Sequence, residues 1–143
     1  MSLATCLYVT LGGALGTLAR YLLSILALPI SHRFPWATLI ANVTGCALIG
    51  FVGTLTLTHG RHPLSENMRL FLMVGFCGGY TTFSAFSLQT LDLIRNGYSA
   101  RAAVNVAASV VLCIFAVAAG HWIAAEFNDH AREIAQIEIE EEA

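Results

Sequence analysis

The sequence predicts an all-α membrane protein with four transmembrane helices per chain and no soluble domain of any size. Three observations predict it. Hydrophobic residues make up 57% of the 143 and charged residues only 11%, against about 25% charged in soluble domains. Mean hydropathy is +0.70. Four apolar stretches each reach the ~20 residues needed to cross about 30 Å of hydrocarbon, and the links between them are short.

The first stretch runs from about Leu3 to Leu28. It is longer than a signal-peptide core of about 7–15 residues and follows no basic segment, so it reads as a span. The others cover about residues 36–57, 68–94 and 102–125. Pro29 and Pro35 end one helix and restart the next. Residues 58–63 form the second link. Residues 95–99 form the third, with Gly97 as the helix stop. Residues 1–127 are one four-helix transmembrane domain. Residues 128–143 are an acidic tail in which Asp129, Glu133, Glu138, Glu140, Glu141 and Glu142 face the single Arg132, a solvated charge run.

All seven positive charges are Arg and the formal net charge is −2. That leaves no basic footprint for nucleic acid. Arg61, Arg69 and Arg132 flank the spans on the side of the termini; Arg33, Arg95 and Arg101 flank them on the other. This balance gives no positive-inside bias. The expectation is insertion in both orientations and assembly as an antiparallel pair of identical chains. The alternative is that a lipid or insertase detail fixes one orientation. Cys6, Cys46, Cys77 and Cys113 fall in separate apolar stretches without a CxxC pair. They read as small packing residues, not a disulfide framework or zinc site.

Polar groups inside spans are costly and mark function or helix contact. In span one, Gly12 with Gly16 and Gly13 with Thr17 permit close helix approach. Arg20 either lines the vestibule of an anion path or ties down carbonyls. In span two, Thr38 and Asn42 share a face that Gly45 continues; the Asn42 amide serves a ligand or binds another helix. Its sequon with Thr44 is a chance match within a span. In span three, Gly78-Gly79-Tyr80-Thr81-Thr82 weakens a helix at mid-span. Carbonyls freed there need protein, water or an ion, so the third helix is expected to be broken mid-membrane around a cation held by backbone carbonyls. Phe83 and Phe86 follow on one face, with Ser84 and Ser87 beside them. In span four, Asn105, Ser109 and Cys113 form a polar stripe that is a conduit wall or helix glue.

Gly12-Gly13-x-x-Gly16-x-x-x-Arg20-Tyr21, Thr38-x-x-x-Asn42-x-x-Gly45 and Gly75-Phe76-Cys77-Gly78-Gly79-x-Thr81-Thr82-Phe83-Ser84-x-Phe86-Ser87 together resemble the CrcB/Fluc fluoride channels. The likeness covers three spans by motif and the whole chain by length and span count. It implies a fluoride-selective channel of a bacterial-type inner membrane that exports fluoride passively and so reduces its toxicity. It implies an antiparallel dual-topology homodimer with two pores and a central structural Na⁺ on the Gly78 and Thr81 carbonyls. Phe83 and Phe86 then line the pores, Asn42 is the pore asparagine, and Thr82 and Ser84 are the polar track beside the rings. Asn105, where the family often carries Tyr, and Ser109 are the fourth-helix polar positions. Arg20 and Thr38 belong to the vestibule.

The chemistry agrees with that implication. Fluoride is strongly hydrated, so a pore must replace its water with donors such as Asn42 N–H and Ser or Thr hydroxyls. A phenylalanine presents a positive ring edge to an anion. No mid-span acid or His offers a proton relay, which favours passive conduction. A small multidrug-type antiporter needs an embedded carboxylate, and the only span acid is Asp92, near a span end. A non-transporting assembly subunit explains the glycines but not the weakened third span. An enzyme needs clustered His, Asp or Glu, and His121 stands alone beside Trp122.

Overall fold

The computed structural model describes residues 2–57 and 62–127. The acidic tail, with Arg132, and Arg61 lie outside the described residues. All regular structure among the described residues is helical.

Helix α1 spans Leu3–Leu26, opened by Ser2, whose hydroxyl accepts from Thr5 N at 3.2 Å. Pro29 sits in a short 3₁₀ turn, Leu28–Ile30, so α1 stops earlier than the apolar run does. Helix α2 spans Trp36–Leu55, directly after Pro35. The third crossing starts at the Ser65 cap with α3, Glu66–Leu70. It continues through a π-helical stretch, Phe71–Cys77, into the single turn α4, Gly78–Tyr80. Thr81 and Thr82 are extended (φ/ψ −84/158 and −154/112), and α5 resumes over Phe83–Arg95. Gly97, at φ 80, closes α5: its N–H bonds Ile94 O at 3.0 Å and that of Tyr98 bonds Leu93 O at 2.8 Å, the paired bonds of a Schellman cap. That compact cap delivers the chain straight into α6, Ser99–Glu126, which begins before the expected residue 102.

Four segments are long and apolar enough to cross a membrane: Leu3–Leu26, Trp36–Leu55, Glu66–Arg95 and Ser99–Glu126. With lipid on the outside, helix association rests on close packing and on hydrogen bonds between helices. Two seams supply both. In the first, α1 lies on the third crossing through small residues from each side. A side-chain carbon on Gly16 would run into the Phe76 carbonyl, and one on Gly75 would come within 2.9 Å of Gly12 Cα. Gly12 thus finds its counterpart in Gly75, Gly13 lies against Gly79, and Gly16 lies against the Phe76 and Tyr80 backbone. The opposite face of α1 exposes Leu7, Leu11, Leu15, Leu18 and Leu22, a stripe at helical spacing suited to lipid.

In the second seam, α2 and α6 run parallel at a constant offset. Thr54 Oγ1 meets His121 Nδ1 at 2.8 Å, 67 residues apart. Gly50 faces the Val117 carbonyl at the same offset, and Gly120 faces the Ala47 carbonyl.

The first seam yields a prediction. Gly16→Val destabilises the chain by about 1–3 kcal/mol, the usual range for overpacking, whereas Leu15→Val on the exposed face stays within about 0.5 kcal/mol. Thermal unfolding in detergent reads both. Equal stability of the two variants would contradict the packing described.

Candidate functional site

The site is built around Thr81 and Thr82. In a continuous helix the Thr82 N–H would bond the Gly78 carbonyl, and the Ala85 N–H that of Thr81. Neither does so. Thr82 N–H donates to Asn42 Oδ1 at 2.8 Å, and Asn42 Nδ2 donates back to Thr82 O at 3.2 Å. Asn42 therefore pairs with the Thr82 backbone as a neighbouring strand would. Ala85 N–H donates to Thr82 Oγ1 at 3.1 Å, which makes Thr82 the N-cap of α5. The carbonyls of Gly78 and Thr81 thus lose the donors that a continuous helix would give them.

The neighbouring carbonyls are satisfied from nearby. Thr81 Oγ1 donates to Cys77 O at 2.9 Å. Arg20 Nε donates to Gly79 O at 3.2 Å, with Thr17 Oγ1 in longer contact at 3.5 Å. Of the two readings open for Arg20 in the sequence, its position matches the tie to a carbonyl. Tyr80 is fixed by its OH, 3.0 Å from Thr44 Oγ1.

Against the interruption lies a cleft of about 410 Å³. It brings together Asn42 from α2, Thr82, Phe83 and Phe86 from the third crossing, and Ser109 from α6, with Gly78 and Thr81 also on its wall. No acidic, basic or histidine side chain lines it. The Phe83 and Phe86 rings stand 5.4 Å apart at 46°. Phe86 is buried, while Phe83 is 79% exposed on this single chain. Ser109 Oγ is buried without a hydrogen-bond partner, an uncommon and costly state for a hydroxyl. One Asn42 N–H also remains after the Thr82 bond. The cleft can therefore offer neutral donors and ring edges to a small anion without a fixed charge to trap it.

Four predicted residues are not in this cleft: Arg20, on the Gly79 carbonyl, and Asn105, Ser84 and Thr38. Asn105, 2% exposed, donates to Thr90 Oγ1 at 2.9 Å, and Thr90 donates to Phe86 O at 2.7 Å. Its position is that of a brace behind Phe86. Ser84 is exposed, and its hydroxyl lies 3.2 Å from Thr82 Oγ1. Thr38 is buried one turn before Asn42. A second, polar cleft of about 500 Å³ opens at the end of the spans, with His32, Arg33, Asp92, Asn96 and Arg101 on its wall.

Sequence reasoning missed Thr90, which stands 15 residues from Asn105. A threonine in the last turns of an apolar helix carries no separate signal. It also missed that Cys46, Cys77 and Cys113 line the same cleft, because contacts between spans depend on a register the sequence does not display.

Fold and site define a class: a small multi-pass helical membrane protein whose third crossing is interrupted beside an uncharged polar and aromatic cleft. The family follows from comparison. Residues 7–121 match the model of the CrcB-like protein, Camphor Resistance (CrcB) family. The "Fluoride-specific ion channel FluC" of Methylobacterium radiotolerans is 64% identical over 142 residues, 99% of each chain. The protein of the same name from Gluconobacter oxydans is 65% identical over 144 residues, covering all of both chains. That of Methylocella silvestris is 49% identical over 123 residues, 85% of this chain and 94% of its own. The chain belongs to the CrcB/Fluc family.

The Asn42 pairing yields the second prediction. Interhelical hydrogen bonds in membranes average about 0.6 kcal/mol each, with a maximum near 1.7. Asn42→Ala should therefore lower stability by about 1–3 kcal/mol and speed amide hydrogen exchange at Thr82 by at least about tenfold. Unchanged exchange at Thr82 would show that something other than Asn42 holds the extended residues.

Proposed function

We propose that this chain is a fluoride-selective channel, conducting fluoride passively across the cytoplasmic membrane as an antiparallel pair of identical chains. The observation that carries the reading is the charge-free cleft in which Asn42, Ser109 and the Phe83–Phe86 pair converge on the interruption at Thr81 and Thr82. Relatives 64% and 65% identical along essentially the whole chain bear the name fluoride-specific ion channel.

Fluoride gives up hydration only to donors that replace it. Ser109 Oγ–H and the free Asn42 N–H are neutral donors of that kind, and the phenylalanine edges add weak attraction. Neutral donors bind firmly enough to admit an anion and weakly enough to release it. The absence of any acid or histidine from the cleft wall supports conduction without proton coupling. The exposure of Phe83 supports a second chain closing the path, since one wall of the cleft is open on the isolated chain. Within the antiparallel pair, the break in the third span lies at mid-membrane and the mouth at each end is polar. The same passive flow would lower cytoplasmic fluoride when the cell interior holds more than the outside.

The donor set also fits a structural Na⁺. Among the described residues no group of three or more His, Cys, Asp or Glu could hold a metal, so a hard cation here would rest on backbone oxygens. The Gly78 and Thr81 carbonyls, released from the helical ladder, are hard oxygen donors. A side-chain carbon placed on Gly78 would meet no other part of the chain within 4 Å. Two carbonyls do not complete a hard cation's shell; two antiparallel chains would supply four and bind the pair at its centre.

Three measurements test the reading. Liposomes carrying the purified chain should release fluoride and retain chloride; absence of fluoride release would overturn it. Phe83→Ile and Phe86→Ile should each cut fluoride release at least about tenfold while the dimer persists on a sizing column. Release at the unmodified rate would remove the rings from the mechanism. Cysteines engineered into the two end links, residues 29–35 and 95–99, should be labelled by an impermeant reagent from both sides of the membrane. Labelling from one side alone would contradict the antiparallel pair.

A further inference from the structure

The α2–α6 seam sets one register along its length, and that register pairs two thiols. Residues 67 apart face each other at Thr54–His121 and at Gly50–Val117. Cys46 and Cys113 stand at the same offset, one turn before Gly50 and Val117. The Cys113 and Cys46 thiols are near enough to influence each other electrostatically. Both are free, both are partly exposed, and both line the cleft that holds Asn42, Phe83 and Phe86. Glycines at 50 and 120 keep the two backbones close just beyond the pair, so the thiols are held together by the helices that carry them.

We propose that Cys46 and Cys113 form a two-coordinate site for a soft d¹⁰ cation, of which Cu(I) is the cellular representative and Ag(I) and Hg(II) are laboratory ones, and that its occupancy obstructs the cleft. Thiolate sulfur selects such ions over hard ones. With metal–sulfur bonds of about 2.3 Å, as for zinc–thiolate, a linear site sets the two sulfurs roughly 4.6 Å apart. Each thiol releases its proton to water as its sulfur bonds the metal, and nothing is oxidised or reduced. Cys77 lines the same cleft but is buried, and Cys6 lies exposed near the start of α1, away from it. Neither belongs to the pair. The metal site follows from the helix register alone; its effect on transport rests on the proposed channel reading.

The test uses the full chain carrying Cys6→Ser, with Hg²⁺ as the probe. A titration of the detergent-purified protein, followed by ultraviolet mercury–thiolate absorption, should show one tightly bound ion per chain. Cys46→Ser and Cys113→Ser should each weaken that binding by at least about tenfold, while Cys77→Ser should leave it intact. Undiminished tight binding in the Cys46 or Cys113 variant, or loss of binding in the Cys77 variant, would overturn the pairing. In liposomes, one equivalent of Hg²⁺ should cut fluoride release at least about tenfold, and the Cys46→Ser variant should be spared. Full release with the ion bound would overturn the obstruction. If untreated liposomes release no fluoride, the channel reading fails, while the absorption titration still decides the metal site.

Discussion

One side chain holds the centre of this molecule. Asn42 gives its carbonyl to the Thr82 N–H and its amide to the Thr82 carbonyl. Within a membrane an unpaired backbone group costs several kcal/mol, so two extended residues in a spanning segment persist only with such a partner. Thr82 then caps the helix that follows. That cap starts α5 where Phe83 and Phe86 face the cleft and leaves the Gly78 and Thr81 carbonyls outside the helical ladder. Arg20 serves the same end from the other side by covering the Gly79 carbonyl. One of its donors thereby meets a carbonyl that a continuous helix would have paired within the third crossing.

The two packing seams make this arrangement rigid without a water-driven core. Gly12, Gly16, Gly75 and Gly79 let α1 and the third crossing meet backbone to backbone, which brings Arg20 and Thr17 to Gly79. The α2–α6 seam places Asn42 and Ser109 on one level and Thr54 with His121 further along. Asn105 braces Phe86 indirectly through Thr90. The polar stripes on α2 and α6 therefore divide their labour: some positions fasten helices and others face the cleft.

The four spans were legible because hydropathy and length are local properties. The Gly97 stop was legible because its backbone requires a positive φ. The extended Thr81 and Thr82 directly follow Gly78-Gly79-Tyr80, a stretch of low helix propensity. What the sequence concealed was the assignment of polar residues to partners. Asn42 looked equally suited to binding a ligand and to fastening a helix, and its amide has capacity for both once Thr82 has taken two of its bonds. Arg20 was open between a vestibule position and a tie to carbonyls, and its Nε lies on the Gly79 carbonyl. Asn105 and Ser109 looked like one stripe, yet one turn of helix separates a buried brace from a cleft hydroxyl. The cysteines looked unrelated because each sits in its own span, and only the parallel register of α2 and α6 pairs two of them. The π-helical stretch before Gly78 left no mark in the apolar pattern, which is continuous through it.

Passive fluoride conduction along the cleft beside Thr81 and Thr82, as proposed above, is tested most directly by the reversal potential of the current. In a planar bilayer holding the purified chain, with a fluoride gradient and a separate pH gradient, the current should reverse at the fluoride equilibrium potential and stay there as the pH gradient is changed. A reversal potential that moves with the pH gradient, or one that follows chloride, would contradict the account.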